Sequence, residues 1–343
     1  MKSTYLVVFS SLALLLIATS TRTKGEASAR AGFPGSQNIV LVVHGGAGDY
    51  SKMPPEQIAI RRAAMTKALG VGYNVLLHQG TSLDAVEATI RVLEDSGDFD
   101  AGRGAYYTRD GIPELDSAIM DGATLSAGAV ASVQHIANPI SLARLVMEKT
   151  PHVLLVGEGA EQFAKSQGIS LVSPYYFYNE SEWKRYQDES AAQAKGKSAG
   201  LAQDQVHGTV GAVALDQAGN LAAGTSTGGT TWKMPGRVGD SPLIGAGTYA
   251  NNESCAISAT GVGEYFIRNV VAADICARVR YLHVSLEEAA NDVVMKELVA
   301  QHGEGGIIGL DRQGHIAMVF NSNGMMRGMV GPDGTITIKV FKE

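Results

Sequence analysis

The stretch "HGTVGAVALDQAGNLAAGTSTGG", residues 207–229, reads as two apolar strands joined by a polar, glycine-containing turn. Its first strand opens on Thr209, directly after Gly208, far from either end of the chain. A threonine hydroxyl is a weak nucleophile, and an internal threonine has no amine beside it. Cutting the Gly208–Thr209 bond would place a new α-amino group within reach of that hydroxyl. The unperturbed pKa of such an amine, roughly 7.7–8.0, suits a base acting near neutral pH. Gly208 lacks Cβ and tolerates the strained backbone that presents its carbonyl to Thr209. The competing reading is an ordinary strand start, for which Gly-Thr needs no chemistry.

Upstream, "NIVLVV" (residues 38–43) is a short apolar strand running into "HGGAG". Amphipathic helix patterns follow from about Pro54 to His78 and from Thr81 to Ser96, where Thr81 and Asp84 form a capping-box-like start. "LDSAIMDG" and "LSAGAVASVQHI" read as strands, "ISLARLVMEK" as a helix and "HVLLVG" as a further strand. Residues 181–205 are polar and poor in core anchors, which predicts a mobile segment ending just before Thr209. Downstream come glycine-rich strands to about Thr260, the helices "EYFIRNVVAADICARVRYL" and "LEEAANDVVMKELVAQH", and two hairpins turning at 311–314 and 331–334. Strands and helices arrive in blocks. That order argues against a doubly wound parallel sheet and for two antiparallel sheets covered by helices.

The chain has 343 residues, enough for a sizeable core. Its 41 glycines are about 12% of the residues against a usual 7%, without any short repeat, which implies tight turns and close backbone approaches. Lys2, then an apolar run from Tyr5 to Ala18 broken by Ser10 and Ser11, then polar 20–24, has the order of a secretory signal. The run is short for a membrane span of roughly 20 residues, although an uncleaved anchor is the alternative. The expectation is an exported protein, periplasmic or secreted, with residues 1–24 removed and a boundary that extends to about 29. Loss of three basic residues takes the charge from −6 to −9, 25 basic against 34 acidic. With no basic cluster, nucleic acid is excluded as a natural partner, and no membrane contact is expected once the signal is gone. Cys255 and Cys276 read as small buried apolar residues, although an oxidising compartment permits a disulfide.

The motifs "HGTVGAVALD", "TSTGG", "PGRVGDSPLIGAGTYANN" and "ATGVGE" occur in the order and spacing of the plant-type asparaginase and isoaspartyl peptidase family of N-terminal-nucleophile hydrolases. Upstream, "HGGAG", "RDGIPELDSAIMDG", "AGAVA" and "NPISLARLVME" resemble the same family, so the resemblance runs from about Ile39 to Phe341. It implies an α+β fold, a four-layer αββα sandwich. It also implies self-cleavage at Gly208–Thr209 into an α subunit, residues 25–208 with a mobile end at 181–208, and a β subunit, 209–343, which together make one domain. The implied activity is hydrolysis of β-aspartyl dipeptides and L-asparagine to L-aspartate, by a homodimer of cleaved αβ units.

By the same resemblance Thr209 is the nucleophile and its freed amine the general base. Thr227 holds and polarises the hydroxyl, and Thr260 with the Gly261 N–H forms the oxyanion hole. Arg237 grips the substrate α-carboxylate and Asp240 its α-ammonium, and Thr260, Gly261 and Gly263 complete the implied substrate-binding set. Residue types agree: Arg and Asp three positions apart in a tight loop match one negative and one positive charge a few ångströms apart. His44 reads as a buried histidine or turn support, and His207 has no role in turnover. No cofactor is implied for the chemistry. The family's sodium loop, ligated by main-chain oxygens, corresponds to "LEDSGDFDAGRG" and implicates Leu93, Glu94, Ser96, Phe99, Ala101 and Arg103. Asp100 stands there where relatives often carry Asn. The rival within the family, glycosylasparaginase, usually has Asp-Thr and "TSTNG" in place of Gly-Thr and "TSTGG". A rival of another class is an exported binding protein, which would leave Gly208–Thr209 uncut.

Overall fold

The computed structural model describes residues 38–195 and 208–342. The expected signal segment, His207 and the last part of the expected mobile segment lie outside the described residues.

Twelve strands form two sheets among the described residues. They are β1 (Val40–Gly48), β2 (Leu115–Asp121), β3 (Ala127–Val133), β4 (Leu154–Val156), β5 (Val210–Leu215), β6 (Leu221–Thr227), β7 (Thr248–Ala250), β8 (Cys255–Gly261), β9 (Gly305–Asp311), β10 (Ile316–Phe320), β11 (Gly324–Val330) and β12 (Ile336–Phe341). The larger sheet runs β12-β11-β1-β5-β6-β2-β3-β4 and the smaller β10-β9-β8-β7. Helices α1 (Pro55–Leu77), α2 (Ser82–Ser96), α3 (Pro139–Lys149) and α4 (Gly157–Ser166) pack on the larger sheet, and α5 (Glu180–Ala194) precedes the second half of the chain. Helices α6 (Gly263–Asn269), α7 (Val271–Ala277), α8 (Leu286–Asn291) and α9 (Leu298–Ala300) cover the smaller sheet.

The period-two alternation of side chains sorts the strands into layers. Leu41 and Val43 of β1 and Ala212 and Ala214 of β5 face α1–α4. Their neighbours Val40, Val42, Val213 and Leu215 face the other way, onto Ala256, Ile308 and Leu310 of the smaller sheet. Ile257, Ala259 and Ile307 in turn face α7 and α8. Both faces of the central strands are buried, which is why they read as continuous apolar runs. The result is the four-layer αββα sandwich, helices, sheet, sheet, helices.

Three expectations are corrected. The larger sheet is mixed, because β3 and β4 pair parallel, Ala129 opposite Leu154. A parallel neighbour needs a crossover, and α3 supplies it. The polar segment from residue 181 is not wholly mobile: α5 occupies most of it, its first turn capped by the Asn179 side chain, which accepts from the Ser181 and Glu182 N–H groups. No residue of α5 is fully buried. Trp183 and Tyr186 anchor it instead, meeting Tyr107 with ring centroids 5.3 and 5.9 Å apart, and Tyr186 also meets Trp232 at 5.3 Å. Two aromatics among many polar residues hold the helix without giving it a core-like pattern. Finally, Cys255 and Cys276 form a disulfide that ties the start of β8 to α7.

Other local readings hold. Thr81 accepts from the Asp84 N–H at 3.1 Å while Asp84 accepts from the Thr81 N–H at 3.1 Å, a reciprocal cap for α2 worth about 1 kcal/mol. One further expectation is corrected, because the single helix expected from residue 264 is broken where Val270 takes a left-handed conformation between α6 and α7.

Candidate active site

Thr209 immediately precedes β5, and Thr227 ends the antiparallel β6, whose register sets Val210 opposite Ser226. Strand pairing therefore brings the two threonines together, with their hydroxyl oxygens 3.0 Å apart. Thr227 also accepts from the Gly229 N–H at 3.0 Å and donates to Asp100 Oδ2 at 3.4 Å. The other Asp100 oxygen accepts from the Tyr106 N–H at 2.8 Å. Asp100 is fully buried, and loss of solvation pushes its carboxyl up to about 7 against the hydrogen bond from Tyr106. A Cβ on Gly208 would lie 2.6 Å from the Asp100 nitrogen, and one on Gly228 2.3 Å from Asp100 Oδ1. Glycine at both positions is a steric requirement of this loop.

On its other side the Thr209 carbonyl accepts from His44 Nδ1 at 3.1 Å. A carbonyl only accepts, so Nδ1 carries the proton and Nε2 accepts from the Ser258 hydroxyl at 2.9 Å. Ser258 lies 2.7 Å from Thr225, which lies 2.7 Å from Thr248. These groups bridge the two sheets. Burial pushes His44 down to about 3, so the ring stays neutral and holds the Thr209 backbone carbonyl.

The third wall is the end of β8 with the loop before β7. Thr260 Oγ1 is buried and has no hydrogen-bond partner among the described residues, and the same is true of Asp240 Oδ2. Such orphaned groups are costly unless something else satisfies them. A Cβ on Gly263 would lie 2.8 Å from Asp240 Oδ1 and 3.1 Å from Arg237 Nη2, so Gly263 adjoins both charged residues. Gly261 has φ +154° with Glu304 O only 2.4 Å from any Cβ. Burial raises Asp240 to about 7 despite the nearby Arg237. Arg237 does not present a vacant fork: its Nε and Nη2 donate to Glu264 at 3.0 and 2.9 Å.

The loop after α2 carries Asp100 and backs the Thr227 side of the site. Gly97 ends α2 in a left-handed conformation, and Gly102 and Gly104 follow in a 3-10 turn. A Cβ on Gly102 would sit 2.5 Å from Glu94 O, and one on Gly104 2.1 Å from Phe99 O and 2.8 Å from Gly97 O. The turn is glycine-dependent, and within the stretch containing Leu93, Glu94, Ser96, Phe99, Ala101 and Arg103 the Leu93, Phe99 and Ala101 carbonyls accept from Ser96 Oγ, the Ala101 N–H and the Gly104 N–H. The Glu94 side chain is used elsewhere, accepting from Ser226 Oγ at 2.6 Å and the Ile140 N–H at 3.1 Å, and burial pushes it up to about 8.

Of the residues singled out in the sequence, the fold joins Thr209 to Thr227 directly, sets Arg237 and Asp240 beside Gly263, and leaves Thr260 at the end of β8. Sequence reasoning missed Ser258 and Thr225, whose only sequence signal is a hydroxyl in a buried strand. It also missed Glu264, readable as an acid just past "TGVG", and Lys233, a lone cation within a glycine-rich loop.

Comparison with known proteins agrees with this arrangement. Residues 37–340 match the model of the family Asparaginase_2, described as asparaginase. The chain is 49% identical over 312 residues to the isoaspartyl peptidase of Salmonella typhimurium, covering 89% of this chain and 99% of that protein. It is 48% identical to the isoaspartyl peptidase of Escherichia coli, covering 89% and 96%, and 44% identical to the isoaspartyl peptidase/L-asparaginase of Homo sapiens, covering 84% and 92%. With a matching family model over nearly all of its length and a four-layer sandwich that sets two threonines side by side, the chain belongs to the asparaginase family.

Proposed function

We propose that this protein is an isoaspartyl peptidase and L-asparaginase with Thr209 as nucleophile, released by cleavage of its own chain. The observation that carries the reading is the contact of the Thr209 and Thr227 hydroxyls at 3.0 Å, beside a glycine that admits no side chain. In the precursor, Thr209 Oγ attacks the Gly208 carbonyl carbon, the peptide C–N bond breaks, and the resulting ester is hydrolysed by water. Thr209 then carries a free α-amine and Gly208 a carboxylate.

In turnover the amine takes the hydroxyl proton as Oγ attacks the side-chain amide carbon of an aspartyl unit. The oxyanion is met by the orphaned Thr260 hydroxyl and the Gly261 N–H, and the amine returns its proton to the leaving ammonia or peptide amine. Water, deprotonated by the same amine, cleaves the β-aspartyl ester and frees aspartate. Arg237 binds the α-carboxylate, and the unpartnered oxygen of Asp240 receives the α-ammonium, beside Gly263. The glycosylasparaginase and binding-protein readings gain no support from the relatives named above.

The loop 93–103 is proposed to hold a sodium ion through main-chain oxygens, as a structural element that fixes Asp100 behind Thr227; carbonyl oxygens in a glycine-dependent turn suit a hard cation. Export, guided by residues 1–24, and a dimer of cleaved αβ units belong to the same proposal.

A substrate panel tests the clamp. β-Asp-Leu and asparagine present a free α-carboxylate, a free α-ammonium and a side-chain amide. α-Asp-Leu lacks the free carboxylate and N-acetyl-asparagine the ammonium. Hydrolysis of the first pair alone is expected, and efficient cleavage of α-Asp-Leu would overturn the assignment.

A further inference from the structure

We infer that Lys233 is the second cation of the α-carboxylate clamp, sharing the substrate carboxylate with Arg237 across the face of Gly229. The inference rests on the proposed reading of Arg237. One edge of that guanidinium, Nε and Nη2, is bonded to both oxygens of Glu264. Two parallel bonds to a substrate carboxylate therefore cannot come from that edge while the pair stands. Nη1 lies outside the pair, 3.4 Å from the point where a Cβ on Gly229 would be, and Lys233 Nζ lies 3.0 Å from the same point. Gly229 is left-handed, φ +92°, and a side chain there would press on Lys233 Cδ and Nζ, each 3.0 Å away, so glycine is what lets the two cationic groups approach one another. The two cationic nitrogens flank that point closely enough for the two oxygens of one carboxylate to accept from both, since charge-assisted N–H···O bonds are about 2.8 Å long.

The state of Lys233 points the same way. It is only 4% exposed, and its ammonium donates to the neutral Glu114 carbonyl at 2.8 Å. Among the described residues no carboxylate lies within salt-bridge distance of Nζ, although Asp100 and Asp116 act on it, and it on them, at longer range. An ammonium has three donors, and a buried one is rarely left without a close counter-ion. A carboxylate seated over Gly229 supplies that counter-ion. The rival role is purely architectural, because the Glu114 carbonyl bond and the bond from the Arg109 N–H to the Lys233 carbonyl also brace the loop that carries Arg237.

The two roles separate on a pair of substrates that differ by the carboxylate alone, asparagine and 3-aminopropanamide. The readout is the ratio of their kcat/KM values in the self-cleaved wild type, in Lys233→Gln, which keeps a donor for Glu114, and in Arg237→Gln. The wild type is expected to favour asparagine strongly. Lys233→Gln should lower that ratio roughly 10- to 100-fold, the range for losing a charged hydrogen bond, while leaving 3-aminopropanamide turnover near wild type. An equal loss on both substrates, or an unchanged ratio, would overturn the assignment to Lys233. Absence of discrimination in the wild type would instead sink the Arg237 reading beneath it. Should the Gln variant not process, Lys233→Met gives the same readout, and failure of both to process would make the lysine architectural and overturn the inference.

Discussion

The Thr209 and Thr227 hydroxyl oxygens stand 3.0 Å apart, and Thr227 is itself held by the Gly229 N–H and Asp100. With its proton directed to the carboxylate and one lone pair taken by Gly229, Thr227 has a single direction left in which to meet Thr209. Replacing Thr227 by Val keeps the shape and removes this link. We expect kcat for asparagine to fall by about 10²- to 10³-fold with little change in KM, the scale seen when one preorganised polar group of a reacting site is deleted. A kcat within threefold of wild type on the cleaved enzyme would show that the contact is only structural.

Thr209→Ala removes the hydroxyl to which the proposal assigns both precursor cleavage and attack on the substrate. The two activities should vanish together, because the nucleophile is shared and its base arises from its own first reaction. A denaturing gel checks the first and aspartate release the second. An alanine variant that still split into two chains, the second beginning at residue 209, would contradict the scheme.

How far the sequence disclosed this site depends on what kind of signal each residue leaves. Two sheets covered by helices were legible because apolar runs and glycine-containing turns mark central strands directly, and the four-layer αββα order was implied by the family resemblance; Leu41 and Val42 take opposite faces, as strand alternation requires. The parallel β3–β4 pair was not, since pairing direction depends on where α3 returns the chain. Helix α5 was hidden by its composition, with Trp183 and Tyr186 its aromatic anchors. Thr209 and Thr227 stand in short local patterns, Gly-Thr and Thr-Ser-Thr, to which the family resemblance gave their meaning. Ser258 reaches His44 only through sheet-to-sheet packing, 214 residues away in sequence, and nothing local marks it. Glu264 was quoted as the last letter of a motif, but its bond to Arg237 appears only when both loops are folded.

The Cys255–Cys276 disulfide closes a loop with a sequence separation of 21, joining β8, which carries Thr260, to the helix packed behind it. By the loop-entropy relation such a cross-link stabilises by about 3 kcal/mol. Cys255→Ala with Cys276→Ala should therefore lower the urea midpoint, while the thiol-free protein still self-cleaves, since neither sulfur approaches the nucleophile's hydrogen-bond network. An unchanged midpoint in oxidising buffer would mean that the cross-link contributes no stability to this corner.

Asp240 links affinity to pH. Burial raises its carboxyl from an ordinary value of 3.8 to about 7, with the attraction of Arg237 too weak to offset the lost solvation. Above pH 7 the group is ionised and its unpartnered Oδ2 can accept the substrate ammonium; below pH 7 it takes a proton and the ammonium loses its counter-charge. Binding of an α-ammonium ligand should then weaken as pH falls through 7, by up to about tenfold per unit. Product inhibition by L-aspartate, followed from pH 8 to 5.5, reads this directly. Asp240→Asn should bind weakly at every pH and lack the step, so the wild-type curve divided by the variant's isolates the titration of this one carboxyl from that of the Thr209 amine. Parallel curves for the two enzymes would show that Asp240 does not receive the ammonium.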